Sequence, residues 1–271
     1  MIDLLKILLP VGYVIVTALY TWRFFSDSRR FGTGLIIALV LTLGLHIFYL
    51  YSRITLLQHF PTTSPAELLS LIALAMGIIY LWIEFRLNVQ TTGVFVLSVI
   101  TVFQVLSSAF ITSGRLPDPL LSSPLFSLHT SAAILGYSAI AISALYATLY
   151  LLLFYDIKGS KFSIVYSRLP ALEVLDSMHI KAATAGFSFL TFTIILGIVW
   201  LKLTFDQVLL LDWKIVTAFI TWGIFGVVLA SYRLFRWSGK RLAYFSLSGF
   251  MTIVISLTVV NYFLTSFHRF P

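Results

Sequence analysis

Long apolar runs separated by short polar connections recur along the whole chain. Eight of them lie at about 4–22, 33–52, 66–85, 92–112, 129–154, 179–203, 213–234 and 243–266. Roughly 20 consecutive apolar residues suffice to cross a hydrocarbon layer as a helix. The runs are continuous rather than alternating, which argues against a transmembrane β-barrel. The pattern predicts an all-α fold: a polytopic transmembrane helical bundle of about eight spans, forming a single integral membrane domain over residues 1–271.

The punctuation between the runs supports this division. Ser64, Pro65 and Glu67 form a helix-start signature, with a capping hydroxyl, proline in the first turn and glutamate at the third position. Glu67 is accordingly expected to act as a capping residue. Two connections are longer than the others. SGRLPDPLLSSPLFS (113–127) is rich in proline and serine, and 155–178 is expected to end in a short amphipathic helix. The opening MIDLLKILLPVGYVIVTALYTW has a weak basic region and no small-residue cleavage site, so it reads as a retained first span.

Composition narrows the class further. The chain is 59% hydrophobic and only 10% charged, against roughly 25% charged in soluble domains. It has no cysteine, which excludes disulfides, thiolate metal sites and thiol catalysis. The net charge is +8, yet no basic cluster lies on a soluble domain, so nucleic acid is not an expected partner. The basic residues orient the chain instead. Of 18 lysines and arginines, 12 fall in the connections after odd-numbered spans. Basic excess marks the cytoplasmic side, so both termini are expected on the extracytoplasmic side.

This topology gives the histidines meaning. His129 opens the fifth span on the outer face and His268 follows the eighth on the same face, 139 positions later. Two imidazoles at one membrane depth suit axial coordination of a haem iron. The plain alternative is that each ring sits at headgroup level and binds nothing. Ser127 and Thr130 are candidates to orient the His129 ring. His46 lies inside the second span, where an ionisable side chain is neutral, paired or functional. It either bonds a neighbouring helix or contacts a cofactor. His59 belongs to an outer loop, and His179 is expected at the cytoplasmic interface. No two histidines are three or four residues apart, so a helical zinc motif is absent.

Several segments carry a resemblance in order along nearly the whole chain. They are LHIFYLYSR with QHFPTTSPAELL, SPLFSLHTSAAILGYSAI, LEVLDSMHIKAATAGFSFLTFTIILGIVW, DWKIVTAFITW, RWSGKRLAYFSLSGF and NYFLTSFHRFP. Together they resemble the cytochrome c assembly membrane protein family. That family contains the haem-handling CcsA subunit of the system II cytochrome c synthase and the HemX-type proteins. The resemblance implies that His129 and His268 are the two external axial ligands of a haem b. It implies that Trp200, Asp212, Lys214 and Trp222 frame the external loop, and His46 joins them as a candidate cofactor contact. It further implies a bacterial cytoplasmic membrane and a membrane or soluble partner from cytochrome assembly or haem biosynthesis.

The chain also departs from the synthase pattern. Its external loop reads LKLTFDQVLLLD, with Phe205, Leu209 and Leu211 at positions the synthase fills with aromatics, and Ala230 stands where the synthase has a membrane-embedded histidine. The synthase also works with a partner subunit bearing a large external domain, and no such domain is expected within these residues. These gaps favour the HemX-type branch over a complete lyase. A scaffold that has lost haem chemistry and a haem permease are the alternative readings. Against the permease, the prolines lie mostly in loops rather than at the membrane midplane.

Overall fold

A computed structural model of the protein describes residues 2–26, 32–57, 60–62, 64–111, 123–161, 163–204 and 213–256. The described residues form helices and connections, with no strand. The helices are α1 (Ile2–Phe25), α2 (Gly32–Leu57), α3 (Pro65–Leu87), α4 (Gly93–Phe110), α5 (Pro124–Lys158), α6 (Ile164–Arg168), α7 (Leu172–Thr204), α8 (Trp213–Leu234) and α9 (Lys240–Ile255). Seven of them, all but α6 and α9, are long and apolar enough to cross a membrane. The chain is therefore a polytopic helical membrane bundle. The eighth expected span begins as α9, and its remainder, from residue 257, lies outside the described residues.

The side-chain distribution fits a lipid surround. Leu41, Phe110 and Leu203 are among many large apolar residues turned outward, while His46, Glu67, Ser70, Glu84, Gln104 and His179 are buried. A water-soluble protein of this size would not expose so continuous an apolar surface. In hydrocarbon, polar groups must find partners within the protein.

Two compact units are formed. The first comprises residues 1–118 with 163–170, and the second residues 119–162 with 171–271. In the first unit α1 packs on α2 and α4, and α3 packs on α2 and α4. Gly93, the first residue of α4, sits close against side chains of α1 and α3. A Cβ there would stand 2.2 Å from Tyr20 Cδ1 and 2.4 Å from the Tyr80 hydroxyl.

The second unit is built on α5 and α7. Their contact is close because glycine faces backbone in both directions. A Cβ on Gly186 would lie 3.2 Å from the Ile140 amide nitrogen, and one on Gly136 would lie 3.2 Å from that of Leu190. Small residues at such contacts let membrane helices pack by backbone approach. α9 packs on α5 and α8, and α8 on α7. The hinge into α9 is Gly239, whose φ of 71° suits glycine, and whose N–H donates to Asp176 at 3.1 Å.

Three local expectations are corrected. The amphipathic helix expected before the sixth span is not separate. Pro170 ends the connection, and from Leu172 the chain runs unbroken to Thr204 as one helix. His179 is not interfacial but buried within the second unit. Its Nε2 lies 2.6 Å from Ser246 Oγ and its Nδ1 3.8 Å from Asp176. At the start of α3 Ser64 is the cap and Glu67 the capped residue, whose N–H donates to Ser64 Oγ at 3.2 Å. Its carboxylate instead pairs with Arg53 at 2.7 Å.

Candidate functional site

The local geometry around His129 begins with a capping serine. Ser123 takes an extended backbone and accepts from the Phe126 N–H at 3.1 Å, with Pro124 in the first turn. α5 therefore starts before the apolar run does, and His129 lies well inside it. The same Ser123 hydroxyl accepts from Trp200 Nε1 at 3.2 Å. One residue thus fastens the first turn of α5 to the last turns of α7. Phe126 packs on Trp200, with ring centroids 5.1 Å apart, and lies 6.4 Å from the His129 ring.

The His129 imidazole crosses to α7. Its Nδ1 lies 2.9 Å from the Thr193 carbonyl oxygen. A carbonyl only accepts, so Nδ1 carries the proton and the neutral ring keeps its lone pair on Nε2. That nitrogen has no hydrogen-bond partner among the described residues. Gly197 provides the space: a Cβ there would stand 2.8 Å from His129 Cε1 and 3.0 Å from Nδ1. The half-buried ring is thus fixed in one tautomer with a free donor atom, the arrangement by which carbonyls orient metal-binding histidines. Lys214, in the first turn of α8, lies near enough to act electrostatically on the ring.

Ser127 and Thr130 do not orient the ring. On a helix they point about 200° and 100° away from it, and the Thr193 carbonyl of the facing helix takes that role. Ser123, Phe126, Thr193 and Gly197 are the contributors that sequence reasoning missed. One signal was available: Ser123–Pro124 repeats the Ser64–Pro65 helix start.

The other candidate residues are placed as follows. Trp200 adjoins Phe126 in the same aromatic cluster. Trp222 stacks on Phe187 at 5.3 Å and donates to Thr191 Oγ1 at 2.9 Å. Thr191 lies about 120° round α7 from Gly197, so the structure seats Trp222 in the α7–α8 contact. Asp212, His268 and His59 lie outside the described residues. Those residues contain no cluster of three or more His, Asp or Glu fit to hold a metal ion.

His46 belongs to the first unit and is fully buried. Its Nδ1 lies 2.9 Å from the Tyr13 hydroxyl and its Nε2 2.9 Å from Ser70 Oγ. Ser70 donates onward to Gln104 Oε1 at 3.1 Å, and Gln104 Nε2 donates to Ser108 at 3.1 Å. With its hydrogen committed to Gln104, Ser70 accepts from His46 Nε2. The one lone pair of the ring, on Nδ1, then accepts from Tyr13. The tautomer is opposite to that of His129, and its acceptor nitrogen is occupied.

Comparison with known proteins agrees with the helical architecture. The family model described as cytochrome C assembly protein matches residues 5–268. A cytochrome c biogenesis protein CcsA from Guillardia theta is 28% identical over 234 residues, covering 78% of this chain and 77% of its own. Protein HemX from Brevibacillus brevis is 26% identical, covering 85% of this chain and 82% of its own. Protein HemX from Bacillus subtilis (strain 168) is 25% identical with full coverage of both chains. The chain is thus a multi-pass membrane protein that belongs to the cytochrome c assembly protein family.

Proposed function

We propose that this protein holds haem b at its extracytoplasmic face between His129 and His268, within a bacterial cytoplasmic membrane. Its role lies in cytochrome c biogenesis or in the control of haem biosynthesis. The observation that carries the reading is the state of His129: Nδ1–H committed to the Thr193 carbonyl, Nε2 unpartnered among the described residues. That is the donor chemistry an axial imidazole requires. The full-length correspondence with the Bacillus HemX supports the HemX-type branch.

Haem, when bound, would supply an iron that His129 and His268 would hold and shield from dioxygen. The protein's contribution is to hold. Thr193 fixes the ring, and Gly197 leaves room for it. Phe126 and Trp200 supply apolar surface beside it. Lys214 is a cation suited to a propionate, and Asp212 stands two positions before it in the sequence. His46, its lone pair taken by Tyr13, serves this reading as part of the interior network that stabilises the first unit.

The test is an absorption spectrum of purified protein after haem reconstitution, with and without reductant. A Soret band with sharp reduced bands of a low-spin haem is expected, lost in the His129→Ala, His268→Ala double variant. No haem retained by the wild type would overturn the assignment and favour a scaffold. A milder variant probes orientation alone. Gly197→Ala places a methyl 2.8 Å from His129 Cε1 and 3.0 Å from Nδ1. Haem affinity is expected to fall about 10- to 100-fold, as when the outer partner of a metal-binding histidine is lost. The thermal unfolding temperature should move little.

A further inference from the structure

At one end of the first unit, outside the site just described, lies a cavity of about 620 Å3. That is within the range of about 300–1,000 Å3 typical of small-ligand sites. It is enclosed by the end of α1, the start of α2, the turn between α3 and α4, and α6 with the residues after it. Its polar lining is cationic and donor-rich: Arg23, Arg168, Thr33, Asn88, Gln90 and Thr91, with no acidic residue in the lining among the described residues. Ile36, Leu169 and Pro170 supply an apolar wall.

The two arginines differ in their partners. Arg168 donates through Nη2 to the Phe25 carbonyl at the end of α1, at 3.1 Å. Arg23 stands in the last turn of α1, and its Nε is buried with no hydrogen-bond partner among the described residues. Orphaned buried donors are few in folded proteins and call for a physical reason. Burying part of a guanidinium disfavours the fold unless an anion compensates. Gln90 Nε2 donates to the Gly32 carbonyl at 2.7 Å and so ties the α3–α4 turn to the start of α2. The first amides of α2 have no carbonyl partner within the helix and add positive potential at the same place.

We propose that this cavity binds a phosphate group, and that its source is the phosphodiester of an anionic phospholipid headgroup. Guanidinium forks match phosphate oxygens in pairs. The cavity lies where spans end, and the count of basic residues puts that end on the cytoplasmic side. Basic pockets between helices at that level suit anionic headgroups. The apolar wall suits a ligand that continues as an acyl chain. The α6 segment, which returns from the second unit's sequence to close the cavity, would be clamped by the ligand onto α1–α4.

Delipidated protein in neutral detergent is the material for the test. Native mass spectrometry would count retained molecules of phosphatidylglycerol and, separately, phosphatidylcholine. Thermal unfolding would be followed with each lipid and with millimolar inorganic phosphate. Retention of phosphatidylglycerol over phosphatidylcholine is expected, weakened about tenfold for each arginine changed in Arg23→Gln and Arg168→Gln. Thr33→Glu guards against misfolding as the cause. An acidic residue suits the first turn of a helix, so the fold should be kept, while its carboxylate occupies the arginines and abolishes retention. Stabilisation by inorganic phosphate without lipid preference keeps the phosphate site but overturns the lipid source. Binding indifferent to all three substitutions overturns the site itself.

Discussion

Glu67→Ala is expected to destabilise the protein by about 3–5 kcal/mol, the usual consequence of stranding one member of a buried ion pair. The carboxylate of Glu67 and the guanidinium of Arg53 are 2.7 Å apart, with side chains only 3% and 5% exposed. Removing the carboxylate leaves a cation inside the first unit whose Nε already has no hydrogen-bond partner among the described residues. The cation–π contact of Arg53 with Tyr49, at 6.0 Å, is too weak to compensate. Thermal or denaturant unfolding in detergent would read the loss. The double variant Arg53→Met, Glu67→Leu should recover most of it, because an apolar pair of similar volume removes the stranded charge. If the double variant is no better than Glu67→Ala, packing rather than charge holds this end of α2 to α3.

The second large effect is expected for Gly186→Leu. A Cβ alone at this position lies 2.6 Å from Ile140 Cγ1, 3.2 Å from the Ile140 nitrogen and 3.3 Å from the Gly136 carbonyl. Two of these neighbours are backbone and cannot rotate away, so α5 and α7 must separate. Overpacking of this kind costs about 1–3 kcal/mol and sometimes more, and a leucine belongs at the upper end. Separation also stretches the 2.9 Å bond from His129 to Thr193, since both partners belong to this helix pair. Stability and haem retention should therefore fall together, whereas Gly197→Ala lowers retention alone. Gly223→Ala is the control: nothing lies within 4 Å of its added Cβ. Alanine there should be neutral or stabilising by about 0.5–1 kcal/mol.

The helical membrane architecture was legible because apolar runs of span length are an additive property of the chain. Ser64–Pro65 announced α3 correctly for the same reason: a cap acts over three or four residues. What escaped was whatever depends on a distant partner. α5 and α7 extend past the expected spans at 129–154 and 179–203, to Pro124–Lys158 and Leu172–Thr204. Hydropathy registers only the part of a helix inside hydrocarbon, not the turns bearing Asp156, Glu173 and Asp176. His179 read as interfacial because its partner, Ser246, lies 67 positions away. His129 was legible as a candidate but its tautomer was not, because that is set by a carbonyl 64 positions away and by the missing side chain of Gly197. His46 likewise showed its depth in sequence, while its two hydroxyl partners emerged only from α1 and α3.

The outward oily surface and the hydroxyl-, amide- and ion-bearing interior have a practical corollary. The groups that specify how helices mate within each unit are nearly all on the inner side. Leu41, Phe110 and Leu203 serve chiefly as a coat matched to lipid. Exchanging such coat positions for glutamate, lysine or glutamine should yield a version that disperses in water, while Tyr13, His46, Ser70 and His129 keep their neighbours.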